Sequence, residues 1–186
     1  NKITVMTIII LTILIIFTAP LASQETQISF TTTEGTWVSL DVAPDGKSLV
    51  FDLLGDVYAL PLDGGRARPI LTGRAFQSQP RLSPNGRLIT YVSDKSGTDN
   101  IWIAKADGSM PRQVTNRAVS TMLSPAWSAD GSEIFVTVIS LKGFSSFAEI
   151  WRFDIDSGDG ALVIENKNGP SQPLVSAPAP GPYGAT

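Results

Sequence analysis

The sequence predicts an all-β chain, a partial β-propeller of four-stranded antiparallel blades in which about three blades are written out and a fourth begins, preceded by a signal-peptide helix. Three observations predict it. A turn motif recurs as "APDG", "SPNG" and "SADG", placing Asp45, Asn85 and Asp130 at steps of 40 and 45 residues, the period of four-stranded propeller blades. An apolar–aromatic pair follows each turn, at Val57-Tyr58, Ile101-Trp102 and Ile150-Trp151, and an aspartate stands five positions beyond each aromatic, at Asp63, Asp107 and Asp156. The intervening "KSLVFDL", "RLITYVS" and "SEIFVTVIS" are rich in β-branched and aromatic residues with apolar groups at both parities, as in strands covered on both faces.

Residues 1–23 carry Lys2, an apolar run from Ile8 to Phe17 broken only by Thr12, and small residues at Ala19, Ala22 and Ser23. This pattern is that of a secretory signal peptide. It predicts a periplasmic or secreted protein, with membrane attachment through an uncleaved segment as the alternative, because Ile3 to Leu21 approaches the ~20 residues of a spanning helix. Residue 1 is asparagine, so the chain is expected to begin inside its reading frame. Residues 24–36 alternate threonine with Ile28 and Phe30 and read as an outer strand closing the last blade.

Blades are expected at 37–73, 74–117 and 118–166. In each, the turn motif joins a first strand to a second, and its glycine (Gly46, Gly86, Gly131) falls where a positive φ is needed. "DVYALPL", "NIWIAKA" and "EIWRFDI" form third strands, and Asp-Gly or Asp-Ser-Gly turns lead to short fourth strands near Arg68–Thr72, Arg112–Thr115 and Ala161–Ile164. The distance from turn glycine to aromatic grows from 12 to 16 to 20 residues, which implies a hairpin loop of variable length. Residues 167–186 are Pro-, Gly- and Ala-rich, a connection leading into a fourth blade. The chain is therefore expected to be an N-terminal fragment whose third blade has a bare face, with Val136, Val138, Trp151 and Phe153 as candidates for it.

The composition removes several chemistries. There is no cysteine and no histidine, so thiolate sites, the commonest general base and the commonest metal ligand are all missing. Without the first 23 residues, 13 basic face 17 acidic side chains, and no basic cluster exceeds "GRAR" at 65–68, which excludes a nucleic-acid footprint. "SDKSGTDN" at 93–100, with Asp94, Asp99 and Asn100, lacks EF-hand spacing and reads as a polar hairpin tip. Tyr58, Trp102 and Trp151 recur at one place in every repeat, the mark of residues filling the space between blades rather than of a stacking platform. No catalytic, cofactor-binding or metal-binding residue is assigned.

The run "EGTWVSLDVAPDGKSLVFDLLGDVYALPLDGG", followed by "SQPRLSPNGRLITYVSDKSGTDNIWI", resembles the TolB-like propeller repeats that precede the catalytic domain of secreted amidohydrolase-superfamily proteins, over roughly residues 27–186. The resemblance implies a non-catalytic propeller that shapes access to, or packs on, a C-terminal catalytic domain holding one or two zinc-like divalent metal ions. None of those ligands can be matched in this chain, and no cofactor is expected within it. Two alternatives share the same local fold: a TolB-like propeller binding envelope proteins, and the gating propeller of a prolyl-oligopeptidase-type serine peptidase.

Overall fold

In the computed structural model each repeat folds as one antiparallel four-stranded sheet. The structure describes residues 38–118, 121–142 and 145–165, all within one compact unit, Gly35–Thr186. The first sheet comprises β1 (Leu40–Val42), β2 (Ser48–Leu53), β3 (Asp56–Pro61) and β4 (Arg68–Leu71). The second comprises β5 (Gln77–Leu82), β6 (Leu88–Ser93), β7 (Asn100–Lys105) and β8 (Arg112–Gln113). The third comprises β9 (Thr121–Trp127), β10 (Glu133–Lys142), β11 (Ser145–Asp154) and β12 (Gly160–Ile164). Neighbours in sequence are neighbours in each sheet, so the predicted all-β propeller blades are present. Among the described residues no helix is long and apolar enough to cross a membrane. The expected signal peptide, 24–36 strand and 167–186 connection lie outside the described residues.

The turn motif works through local chemistry. Asp45, Asn85 and Asp130 each accept, through Oδ1, the amide of the residue two positions on, Lys47, Arg87 and Ser132, at 3.0, 3.0 and 3.1 Å. Gly46, Gly86 and Gly131 have φ of 68°, 68° and 76°, the left-handed region that only glycine enters freely. Asp130 additionally accepts from the hydroxyls of Ser128 and Ser132. These bonds, that from Ser128 first, hold its pKa down at about 2 against an ordinary 3.8, because they favour the ionised form. A depressed folded-state pKa means that Asp130's contribution to stability is present above pH 3.8 and disappears as the pH falls through about 2. An NMR titration of its side-chain carboxyl carbon should place the midpoint well below that of an ordinary aspartate.

The spacing between turn and aromatic grows in two different ways. β2 and β3 are joined by Leu54-Gly55, and β6 and β7 by the longer Asp94–Asp99 loop. In the third blade the strands themselves lengthen, with an unbroken ladder from Glu133↔Asp154 to Lys142↔Ser145. A single variable loop is thus replaced there by a longer hairpin.

Two apolar layers lie between the three blades. In the first, Val50, Val57 and Leu71 meet Ile89, Tyr91, Trp102 and Ala104. In the second, Val92, Ile101, Ile103 and Val114 meet Met122, Trp127, Ile134, Val136, Val138 and Phe153. Each fully buried aliphatic or aromatic side chain here contributes roughly 1.5–3 kcal/mol. Val136, Val138 and Phe153 therefore face blade 2, with Trp151 packed against the same layer, and are not a bare face as expected. Open apolar surface lies instead on the first blade and, at Leu162, Val163 and Ile164 of β12, at the edge of the third. Leu40, Phe51 and Tyr58 form one cross-strand row and Val42, Leu49 and Leu60 the next; Leu40 and Val42 are 55% and 45% exposed, and Phe51 and Tyr58 stack on each other there.

Polar side chains fasten one blade to the next by reaching for main-chain groups. Asp52 of β2 accepts the amides of Ser39 at 2.7 Å and of Gln79 in β5 at 2.6 Å. Gln79 Oε1 accepts the amide of Ser124 in β9 at 2.6 Å. Asp41 accepts the Leu82 amide at 2.8 Å, and Trp127 Nε1 donates to the Arg81 carbonyl at 3.0 Å. Gln79 and Ser124 have φ of 55° and 54°, and each lies within a stretch where the strand's register with its neighbour shifts.

Candidate functional site

At the end of the second sheet where β6 turns into β7, a groove opens beside the connection that leads in from the first blade. Thr72, Gly73, Arg74 and Ala75 from the β4–β5 connection, with Gln77 at the start of β5, form one wall, and Asp94, Lys95 and Gly97 from the β6–β7 hairpin form the other. The two walls are pinned together by Phe76 N, which donates to Asp94 Oδ1 at 2.8 Å, while Gln77 N donates to the Gly55 carbonyl of the β2–β3 turn at 2.9 Å. The connection is polar and carries Gly73 at φ 142°, so it departs from β4 without continuing the ladder. The Gly73 amide is taken by Asp56 Oδ1 at 3.3 Å.

Arg74 and Lys95 bring positive charge to the two walls. Lys95 Nζ lies 5.3 Å from the centroid of the Trp102 ring, a cation over an aromatic face. The same pairing recurs one blade on, where the Arg117 guanidinium sits 4.0 Å from the Trp151 centroid. The two tryptophans differ in one respect. Trp151 Nε1 donates to Glu149 Oε2 at 3.1 Å, whereas the equivalent neighbour of Trp102 is Asn100, whose amide is committed to Thr115, Arg117 and Thr98. Trp102 Nε1 is consequently buried with no partner, and so is Oε1 of Gln77, a residue only 6% exposed. Beside the groove, burial and then the charge of Asp94 raise the pKa of Asp99.

The sequence-based expectations meet this geometry unevenly. Trp102 is core between blades 1 and 2, as expected of a space-filling aromatic. Tyr58, at the matching place in blade 1, lies on the open face. Asp94 and Asn100 of the "SDKSGTDN" hairpin are occupied with main-chain amides. Arg74, Gln77 and Lys95 were not singled out by any motif; the polar residue two positions before each aromatic (Asp56, Asn100, Glu149) was the signal available for the caps around them. The residues of this chain do not fit the metal centre that the resemblance implies: it has no histidine or cysteine, and among the described residues no three carboxylates gather.

No family model matches the chain. It is similar to Tricorn protease homolog 1 of Streptomyces coelicolor, 28% identical over 142 residues, covering 73% of this chain and 13% of that protein. It is also similar to an uncharacterized peptidase, YuxL, of Bacillus subtilis, 33% identical over 114 residues, covering 55% of this chain and 17% of that protein. The chain thus spans less than a fifth of either relative. Among solved structures it superposes on a putative TolB from Agrobacterium tumefaciens with a TM-score of 0.64 and 23% identity, over 74% of this chain and 53% of that one. It superposes on a puromycin hydrolase with a TM-score of 0.55 and 18% identity, over 68% and 22%. These superpositions establish a TolB-like propeller arrangement of the blades.

Proposed function

We propose that this chain contributes a non-catalytic β-propeller module to a larger periplasmic or secreted hydrolase, where it controls access to a catalytic domain on the same polypeptide. The observation that carries the reading is the pairing of a propeller fold with relatives named as a protease homologue and a peptidase, of which the matched stretch is a small part. Those names favour a peptidase as the catalytic partner, with the propeller as its gate. The amidohydrolase reading is supported by the wording of residues 34–65; in it the zinc-like ions belong wholly to the other domain.

Two measurements test this. The 186-residue chain alone should hydrolyse neither peptide nor amide substrates, with or without added divalent metal; turnover that survives repurification would overturn the non-catalytic assignment. The reading frame beyond Thr186 should encode either a Gly-x-Ser-x-Gly elbow, selecting the peptidase, or a His-x-His strand end followed by further His and Asp, selecting the amidohydrolase. A stop codon in place of both sinks the hydrolase reading.

A further inference from the structure

We propose that the groove between the β4–β5 connection and the β6–β7 hairpin is a binding site for a peptide segment bearing a carboxylate. Its chemistry specifies two things, and the core layer behind it a third. Arg74 and Lys95 stand on opposite walls, with Asp94 beside Lys95, so the lining carries a net positive charge that suits an anion. Gln77 Oε1 is a buried acceptor with no donor. Trp102 Nε1, in the ring beneath Lys95, is a buried donor with no acceptor. Only three buried side-chain polar atoms among the described residues lack a partner; Gln77 Oε1 belongs to a residue that lines the groove, and Trp102 Nε1 to the core layer behind it.

An orphaned buried polar atom costs about 1–3 kcal/mol, and a ligand that supplies its partner recovers that cost on binding. Inorganic phosphate or a simple carboxylate answers the cations but carries no donor for Gln77. A peptide supplies an N–H, a C=O and, from an acidic side chain or its C-terminus, the anion. Phe76, 58% exposed at the lip of the same connection, offers apolar contact to a neighbouring side chain. The inference stands whichever hydrolase the module serves, since it concerns residues of this chain alone.

Calorimetric titration of the full chain tests it, with the N-acetylated tripeptide Ala-Phe-Glu, its C-terminal amide, and the C-terminal amide of N-acetylated Ala-Phe-Gln. The two acidic peptides should bind, and the one that binds more tightly identifies which carboxylate is read. The neutral amide should bind about tenfold more weakly. Lys95→Met should weaken the acidic peptides about tenfold and flatten the salt dependence of binding. Gln77→Met should weaken all three while leaving the melting temperature unchanged or higher, because it removes an unpaired acceptor; a purely structural glutamine would lower it. Heats of dilution alone at millimolar peptide, a neutral peptide that binds as well as the acidic ones, or binding indifferent to both substitutions would each overturn the proposal.

Discussion

Gly108→Ala is expected to cost on the order of 3–5 kcal/mol, a large share of the ~5–15 kcal/mol that holds an ordinary domain. Gly108 sits in the β7–β8 turn at φ 86°, where an L side chain already costs roughly 1–2 kcal/mol. The larger penalty is steric and crosses between blades: a Cβ there would overlap the carbonyl oxygen of Ile70 in β4. Main chain cannot rotate aside as a side chain can. β4 would be pushed off the second blade, loosening the layer in which Leu71 meets Trp102. Gly64 in the β3–β4 turn is the internal control, with φ 94° and nothing within 4 Å of the added carbon. Urea unfolding should show Gly108→Ala far more destabilised than Gly64→Ala. Equal losses would mean that only backbone conformation, and not the contact between blades, is at stake.

The second large effect is on the state of association. The 186-residue chain on its own is expected to self-associate through the first blade, because Leu40, Val42, Phe51 and Tyr58 lie on a face against which no other described strand packs. At ~25 cal/mol per Å², a few hundred Å² of such surface supplies several kcal/mol towards any contact that covers it. Sedimentation velocity should show mass rising with concentration. The pair Phe51→Thr and Tyr58→Thr, which keeps β-propensity while removing the aromatic stack, should return the chain to a monomer. A wild-type chain that sediments as a monomer across the concentration range would contradict this reading of the face.

What the sequence disclosed was whatever a short stretch of chain decides by itself. The Asp45, Asn85 and Asp130 turns are built from contacts two residues apart, so their glycine conformations could be foreseen. The strands were equally plain, since β-branched runs between such turns have few alternatives. Which neighbour each face would meet was not plain. Val136 and Val138 could be named only as candidates for an open face, because alternation separates the two sides of a strand without saying which side looks towards the preceding blade. The groove was hidden for a different reason: Arg74 comes from a connection, Gln77 from the start of β5 and Lys95 from a hairpin about 20 positions away, and only the pairing of β5 with β6, which sets Gln77 opposite Ser93, brings them together. The unpaired nitrogen of Trp102 was hidden too, because its cause is the commitment of Asn100 to distant main chain.

The fastening between blades has a consequence for how such a chain can change over time. Asp52 and Gln79 each hold the following blade by a main-chain amide, at Gln79 and Ser124 respectively, and a main-chain amide is supplied by every residue except proline. The holding blade must furnish one acceptor of the right length; the held blade need furnish no particular side chain at that point. A unit copied in tandem would therefore arrive already able to be gripped by the one before it. Insertion or loss of a whole blade asks for fewer compensating substitutions than joining two surfaces that recognise each other side chain by side chain.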